Sequence, residues 1–264
     1  EHYDVVLMYI QLAMHQMRQV TAEAAPIPIL VYHQIAQAPP KGAPFRSLCV
    51  SPDSFKQHMS LLRLLGYRGL SMSELQPYLS GQLTGKVVGL TFDDGYLNNL
   101  QHALSVLAAN GFSATCYAVS NMAGMTNVWD KEVGIAQVPL MTSAQMQEWI
   151  KAGQEIGAHT RHHVHLPVQS AELARDEIFG CKAELEDMLG RAVQHFCYPY
   201  GEYAQEHVEW VQEAGFTSAT TTARGRCHAG HDYLTLSRVP VMRSTHWFQM
   251  WLKLQTSYED KKRG

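Results

Sequence analysis

Short apolar runs alternate with helical segments along most of this 264-residue chain, and this alternation restricts the fold more than any other feature. The runs that predict strands are residues 29–33, 87–92, 114–119, 155–158, 196–198, 216–222 and 236–241. Helices are predicted over residues 52–65, 97–109, 143–152, 170–189, 203–214 and 247–254. Strands that alternate with helices build parallel sheets, and the length suits one barrel domain. We therefore predict an α/β fold, a distorted (β/α) barrel with about seven strands.

Composition and charge exclude several classes of protein. Apolar residues make up 46% of the chain, which is enough for a substantial core. The formal net charge is −3 and no basic field is present, so we expect no nucleic-acid partner. No apolar run reaches the roughly 18 residues that a membrane-spanning helix needs, so we expect no transmembrane segment.

Five cysteines are scattered along the chain without a paired spacing. This pattern disfavours a disulfide framework and favours a reducing compartment such as the cytoplasm. Residues 5–14 form a mostly apolar stretch with no basic region before it, so a signal peptide is not expected. Because the chain begins with Glu1, an earlier segment could precede it, and a periplasmic or extracellular location stays open.

Two adjacent carboxylates, Asp93 and Asp94, end one apolar run in the sequence TFDDG at residues 91–95. Successive side chains of a strand point to opposite faces, but a turn at Gly95 would let both acids face one site. Neighbouring carboxylates repel each other unless a cation or a shared proton relieves them. A metal ion, with one acid as ligand and the other as base, explains the pair; a helix N-cap cluster is the alternative.

Four histidines occur within the seven residues HTRHHVH at positions 159–165. His159 and His163 are four apart, the spacing at which side chains meet on one side of a helical turn. Imidazole and carboxylate ligands together suit zinc and the neighbouring divalent transition metals. Surface or capping histidines are the alternative, but the combination with the two acids favours a metal site.

These two segments and a third one together resemble a known family. TFDDG at 91–95 resembles the first motif of the polysaccharide deacetylases (NodB-homology, carbohydrate esterase family four). HTRHH at 159–163 resembles their second motif, His-Thr-x-x-His, and FCYPYG at 196–201 resembles their third, usually Phe-Arg-x-Pro-Tyr-Gly. Order and spacing agree over about residues 27–242. We therefore assign residues 1–25 to an N-terminal extension and residues 26–264 to a catalytic domain of this kind.

The resemblance implies a role for each matching residue. Asp93 would be the general base, and the backbone amide of Tyr200 would help to stabilise the oxyanion. Asp94, His159 and His163 would hold one divalent metal ion, zinc first, with nickel, cobalt or iron as alternatives. The implied reaction is hydrolytic removal of an acetyl group from an N-acetylated sugar.

The chain departs from the family pattern at the third motif. The family arginine that orients the catalytic aspartate is replaced by Cys197. Another cation must then take the place of this arginine. The candidates are Arg224 and Arg238, which we expect in later loop regions. The sequence does not choose between them. The family's usual fifth motif, Leu-x-His, is also altered, because LSR stands at residues 236–238.

A histidine does end the first predicted strand, ILVYH at residues 29–33. In a closed barrel the first and last strands are neighbours. A circularly rearranged branch of the family, which includes deacetylases of poly-β-1,6-N-acetylglucosamine, carries its general-acid histidine there in a Leu-x-Tyr-His segment. The resemblance therefore implies that His33 is the general acid; a core histidine that caps the strand is the alternative.

We interpret the chain as a metal-dependent de-N-acetylase that acts on an N-acetylated polysaccharide or a glycan precursor. Hydrolysis of another small amide is the alternative with the same chemistry. A catalytically silent glycan-binding module is the alternative from another class, motivated by the missing arginine. The presence of Asp93 argues against a silent module, because a binding module does not need a general base.

Overall fold

The structure is a computed structural model that describes residues 25–228 and 230–262. All of the predicted N-terminal extension except Ala25 lies outside the described residues. Within the described part, no helix is long and apolar enough to cross a membrane.

Seven parallel strands close into a barrel. The strands of the chain are β1 (Ile29–Tyr32), β2 (Gln34–Ile35), β3 (Cys49–Val50), β4 (Arg68–Leu70), β5 (Val87–Phe92), β6 (Thr115–Ala118), β7 (Glu155–Ala158), β8 (His195–Cys197), β9 (Ser218–Arg224) and β10 (Leu236–Pro240). The barrel runs in the order β1-β10-β9-β8-β7-β6-β5, and β1 also pairs with β5, which closes the ring. The predicted α/β barrel and its strand number are confirmed.

The remaining strands lie outside the ring. β4 pairs with the first half of β5, and β6 pairs with the second half of the same strand. β2 and β3 form a separate two-stranded sheet directly after β1. The segment between β2 and β3, at residues 36–48, contributes one wall of the cleft described below.

Helices cover the outside of the barrel. They are α1 (Pro52–Leu64), α2 (Met72–Leu79), α3 (Leu97–His102), α4 (Leu104–Asn110), α5 (Ser143–Lys151), α6 (Ala171–Leu189), α7 (Gln205–Glu213) and α8 (Trp247–Gln255). The Ser51 side chain caps α1, Thr142 and Gln145 form a capping box on α5, and Ser170 caps α6. The helix predicted over 97–109 is broken at Ala103 into α3 and α4.

Barrel strands are buried on both faces, as parallel strands covered by helices must be. Every residue of β5 is buried, and an aromatic cluster packs beneath the cleft. In it Phe92 stacks on Tyr32 with ring centroids 5.5 Å apart and meets the edge of Trp149 at 5.8 Å. The strand that delivers the two acids is therefore anchored in the core up to the residue before Asp93.

Candidate metal centre and active site

One cleft opens at the carboxyl ends of the barrel strands, where barrels of this class place their active sites. Its volume is about 570 Å³. All six residues that the sequence singled out line it: His33, Asp93, Asp94, His159, His163 and Tyr200. These residues come from the ends of four different strands, so the barrel alone brings them together.

Both acids of TFDDG face this cleft because the chain turns sharply after β5. Asp94 has φ of 73° and Gly95 has φ of 76°, both in the left-handed region. The sequence predicted the turn at glycine, but the aspartate itself adopts this conformation as well. Asp93 and Asp94 are nevertheless only 4% and 6% exposed. Two buried neighbouring carboxylates require separate counter-charges.

His159 and His163 are carried by a loop, and the helical turn predicted for them is wrong. The chain leaves β7 and passes through two left-handed residues, Thr160 with φ of 62° and His163 with φ of 58°. The Thr160 hydroxyl accepts the His163 backbone N–H at 3.0 Å. The Glu177 carboxylate of α6 accepts the N–H groups of Arg161 and His162 at 2.8 and 2.9 Å. This loop geometry brings the two rings to a centroid distance of 4.9 Å.

Nitrogen atoms of both rings converge on one oxygen of Asp94. His159 Nε2 lies 3.4 Å and His163 Nε2 lies 3.3 Å from Asp94 Oδ1. One ligand atom from each of the three residues lies within 4.8 Å of the others. Burial alone would raise the pKa of Asp94, but hydrogen bonding with the two histidines lowers it well below its usual range.

The tautomer of His159 fits a cation at this point. Its Nδ1 lies 2.7 Å from the backbone carbonyl of Cys197, and a carbonyl can only accept, so Nδ1 carries the proton. Burial would lower the pKa of His159, but nearby negative charge and the hydrogen bond to Asp94 raise it well above its usual value, so a metal ion would have to displace the Nε2 proton. Burial lowers the pKa of His163, so that ring is neutral near pH 7 and able to ligate. Two imidazoles with deprotonated Nε2 atoms and one carboxylate are a donor set for a divalent metal with open positions.

A second group of potential ligands, Asp93, His159 and Cys197, also lies within 4.8 Å. In this group both carboxylate oxygens of Asp93 already accept hydrogen bonds from Arg238. A divalent ion beside that guanidinium would meet like charge. The chemistry of the site therefore favours the group that contains Asp94.

Arg238 replaces the arginine that the third motif lacks. Nη1 and Nη2 donate to Asp93 Oδ1 and Oδ2, each at 2.7 Å, in a bidentate pair. The other three N–H groups reach the Thr221 carbonyl, the Thr91 hydroxyl and the Cys197 sulfur at 2.8, 3.2 and 3.2 Å. All five donors of a guanidinium that is 1% exposed are thus used.

The alternative arginine serves a different part of the molecule. Arg224 binds Glu259 near the C-terminus, with Nε at 2.8 Å from Oε2. Both arginines lie on strands, Arg224 at the end of β9 and Arg238 within β10, so the expectation of loop positions is wrong. Burial would raise the pKa of Asp93, but the charge and hydrogen bonds of Arg238 lower it below its usual value, so Asp93 stays ionised.

His33 lies at the cleft directly after β1, as the barrel closure predicted. β1 pairs with β10 through Leu30 and Val239 and with β5 through Tyr32 and Phe92. The side chain of Asn99, which is fully buried in α3, fixes this junction. Its Nδ2 donates to the His33 carbonyl at 2.8 Å and its Oδ1 accepts the N–H of Ile35 at 3.2 Å.

Aromatic rings surround the exposed side of the histidine pair. The ring of Tyr200 stacks on His165 at 3.7 Å and meets the edge of His163 at 4.6 Å. Trp129 stacks on the other side of His163, with centroids 4.6 Å apart and an interplanar angle of 16°. Tyr200 has φ of 59°, another left-handed residue in the cleft.

Sequence reasoning missed two residues that shape the site, Glu177 and Asn99, and it left the choice between Arg224 and Arg238 open. Glu177 stands in the middle of α6 at a position that turns out to be 7% exposed. A buried glutamate is uncommon without a partner, but only the tertiary structure shows that its partners are backbone amides of the histidine loop. Asn99 gave no signal, because an asparagine in a helix near a motif has many ordinary roles.

Comparisons with known proteins identify the family of this chain. The family model described as "Polysaccharide deacetylase" matches residues 80–219, which is more than half of the chain and contains all three motifs. The chain therefore belongs to the polysaccharide deacetylase family.

Individual relatives are similar over most of the chain. YxkH of Bacillus subtilis (strain 168), a polysaccharide deacetylase by name, is 28% identical over 223 residues, 84% of this chain and 73% of the relative. The solved structure of the Streptococcus pyogenes deacetylase PplD in complex with acetate superposes with a TM-score of 0.76, at 26% identity, over 88% of this chain and 99% of that one. IcaB from Ammonifex degensii shares the fold, with a TM-score of 0.74 at 24% identity over 89% of this chain and 99% of that one.

The Asp93–Arg238 pair can be tested by stability. We expect Arg238→Met to lower the free energy of unfolding by about 3–5 kcal/mol, because it leaves a buried carboxylate without its partner. Chemical denaturation monitored by circular dichroism measures the loss. Arg224→Met is the matched control and should cost less, because Glu259 keeps a second partner in Lys253. Equal losses in the two variants would contradict the assignment.

Proposed function

We propose that this protein is a metal-dependent de-N-acetylase that removes acetyl groups from N-acetylated sugars of a polysaccharide or a glycan precursor. The observation that carries the proposal is the convergence of all six implicated residues on one cleft at the active-site face of the barrel. The PplD structure contains acetate, which is the product that this reaction would release here. The proposed catalytic domain is residues 26–264.

Asp94, His159 and His163 are the proposed metal ligands. Their donor set, two imidazole nitrogens and one carboxylate oxygen, suits zinc first and nickel, cobalt or iron as alternatives. A divalent ion held there supplies a Lewis acid that acidifies water and polarises the acetamide carbonyl. The Cys197 carbonyl fixes the His159 ring in the ligating orientation through its 2.7 Å hydrogen bond.

Asp93 is the proposed general base. It is ionised, it lies beside Asp94, and Arg238 holds both of its oxygens in a fixed plane. Asp93 takes a proton from the attacking water while the tetrahedral intermediate forms. Arg238 acts as a positioning residue and places the carboxylate for that transfer.

His33 and Tyr200 are proposed for the other two steps. His33 donates a proton to the amine leaving group as the intermediate collapses, since an imidazole is well matched to proton transfer near neutral pH. The backbone amide of Tyr200 stabilises the oxyanion. Asn99 supports His33 by fixing the backbone on both sides of it.

The two alternative functions differ in what supports them. The silent glycan-binding module was motivated by the missing third-motif arginine, and Arg238 now supplies that charge to Asp93. Hydrolysis of another small amide would use the same residues. Acetate release from β-1,4- and β-1,6-linked N-acetylglucosamine oligomers, measured together with metal content, separates all three functions. Metal without acetate release from any oligomer would contradict the proposal.

The metal ligands can be tested by removing them. His159→Ala and His163→Ala should each lose the ion, because two ligands rarely hold a structural or catalytic metal. Elemental analysis of the purified variants measures the loss. His165→Ala is the matched control, since His165 stacks on Tyr200 and pairs with Glu202 outside the ligand set. Full occupancy in both ligand variants would reject this site.

The base can be tested with an isosteric change. Asp93→Asn keeps size and one acceptor for Arg238 but removes the basic oxygen. We expect bound metal to be retained and turnover to fall by on the order of a hundredfold or more. Acetate release per mole of metal is the measurement, with a melting curve to check the fold. Turnover near that of the wild type would place the base elsewhere.

The general acid can be tested at His33. His33→Ala should retain the metal and lose turnover by roughly a hundredfold, and the pH–rate profile should change on the limb that reports the acid. His58→Ala is a control for removal of a histidine that does not line the cleft; His58 binds the Thr245 carbonyl at 2.8 Å. An active His33→Ala enzyme with an unchanged pH profile would exclude the role.

A further inference from the structure

A carboxylate that the catalytic scheme does not use faces the cleft from its second wall. This wall is the loop at residues 126–139, and it contributes Trp129, Asp130 and several apolar residues to the cleft. The Trp129 ring stacks on His163, so its sequence neighbour Asp130 is brought to the rim of the proposed metal site.

The loop holds Asp130 in a fixed position. Asn127, which is fully buried, is the centre of its hydrogen bonds. The Asn127 side chain accepts the N–H of Val138 at 2.7 Å and donates to Asp130 Oδ2 at 2.9 Å. Its backbone carbonyl accepts from the Gln137 side chain at 3.1 Å, and Thr126 bridges to Pro139 at the base of the loop. A group held this way is ordered before any ligand arrives.

The carboxylate of Asp130 is only partly used. Asn127 engages Oδ2, whereas Oδ1 accepts no hydrogen bond from the described residues, and within residues 25–228 and 230–262 Asp130 makes no ion pair. Asp130 and Asp94 line the same cleft. Burial raises the pKa of Asp130, and the negative charge of Asp94 raises it further. A half-buried carboxylate with an unfilled acceptor in a cleft is available to a ligand.

The surroundings of Asp130 indicate what kind of ligand this is. The rest of the loop wall that lines the cleft is uncharged, with Ile135, Ala136 and Val138 beside it. Pro39, Pro44 and Phe45 of the 36–48 segment line another wall. Outside the proposed catalytic residues, Asp130 is the one charged residue among the described residues that line the cleft, and uncharged polar side chains such as Gln37 accompany the apolar ones. This lining suits a ligand with apolar faces and hydroxyl donors, as a sugar ring has. A negatively charged ligand would be repelled.

We propose that Asp130 binds hydroxyl groups of the N-acetylated sugar in the cleft, positions its acetamide at the metal site, and selects neutral glycans over acid-bearing ones. This inference rests on the proposed function. Oδ1 accepts the hydroxyl hydrogens while Asn127 keeps Oδ2 in place. Asp130 is thus a substrate-binding and specificity-determining residue, and it takes no part in proton transfer.

Asp130→Asn tests this role, because it removes the charge while it preserves size. The variant loses a charge-assisted hydrogen bond to the substrate. We therefore expect KM for a β-1,6- or β-1,4-linked N-acetylglucosamine pentamer to rise about tenfold or more, with a much smaller change in kcat. The loss of kcat/KM should be at least fivefold larger for the pentamer than for 4-nitrophenyl acetate, an acetyl ester without a sugar. Glu132→Gln is the matched control, an exposed acid on the same loop.

Binding and metal content complete the test. In an Asp93→Asn background, where we expect the pentamers to be consumed about a hundredfold or more slowly, calorimetry should show about tenfold weaker binding when Asp130→Asn is added. Metal content should stay at the level of the Glu132→Gln control. Equal losses on pentamer and ester, loss of metal, or pentamer kinetics equal to those of Glu132→Gln would each overturn the inference. Failure of the wild type to release acetate from either pentamer would instead count against the proposed function.

Discussion

Pairing of β1 with both β5 and β10 is the constraint on which the site depends. The N–H of Asp93 donates to the Tyr32 carbonyl at 2.9 Å, and the N–H of Val241 donates to the Val31 carbonyl at 3.0 Å. These bonds join segments that are far apart in the sequence, so their loop-closure cost is high. Because parallel strands end at the same rim, closure of the barrel brings Asp93, His33 and the strand that carries Arg238 together.

Strained backbone conformations occur at several residues of the cleft. The residues other than glycine with left-handed φ are Phe45, Asp94, Thr160, His163 and Tyr200 among those described, and all but Thr160 line the cleft. Such conformations cost of order 1–3 kcal/mol each and persist only where surrounding contacts fix them. Glu177 and the Thr160 hydroxyl provide such contacts for the histidine loop. The strain therefore coincides with the positions where a side chain must leave the regular direction of its strand.

The two neighbouring acids differ because their environments differ. Arg238 satisfies both oxygens of Asp93, whereas the buried partners of Asp94 are two imidazoles. One carboxylate is thus held by a guanidinium, whereas the other lies against two imidazole rings. The same logic separates pairs of acids into distinct roles in many enzymes. Asp130, on a separate loop, adds a third carboxylate to the lining of the same cleft.

The alternation of strands and helices, the ends of most helices and the residues that meet in the cleft could all be predicted from the sequence. Periodicity, capping residues such as Ser51, and side-chain chemistry are local properties, and local properties can be read from a linear chain. The motif resemblance added His33, whose position after β1 the closed barrel then explained.

The folded barrel was needed to choose between Arg224 and Arg238, because both are arginines at strand positions and the choice depends on which strand neighbours β1. It also replaced the helical turn expected for His159 and His163 by a loop, since the Glu177 carboxylate that holds this loop comes from a separate helix. Contacts of this kind join residues that no spacing rule connects, and they exist only once the barrel has closed.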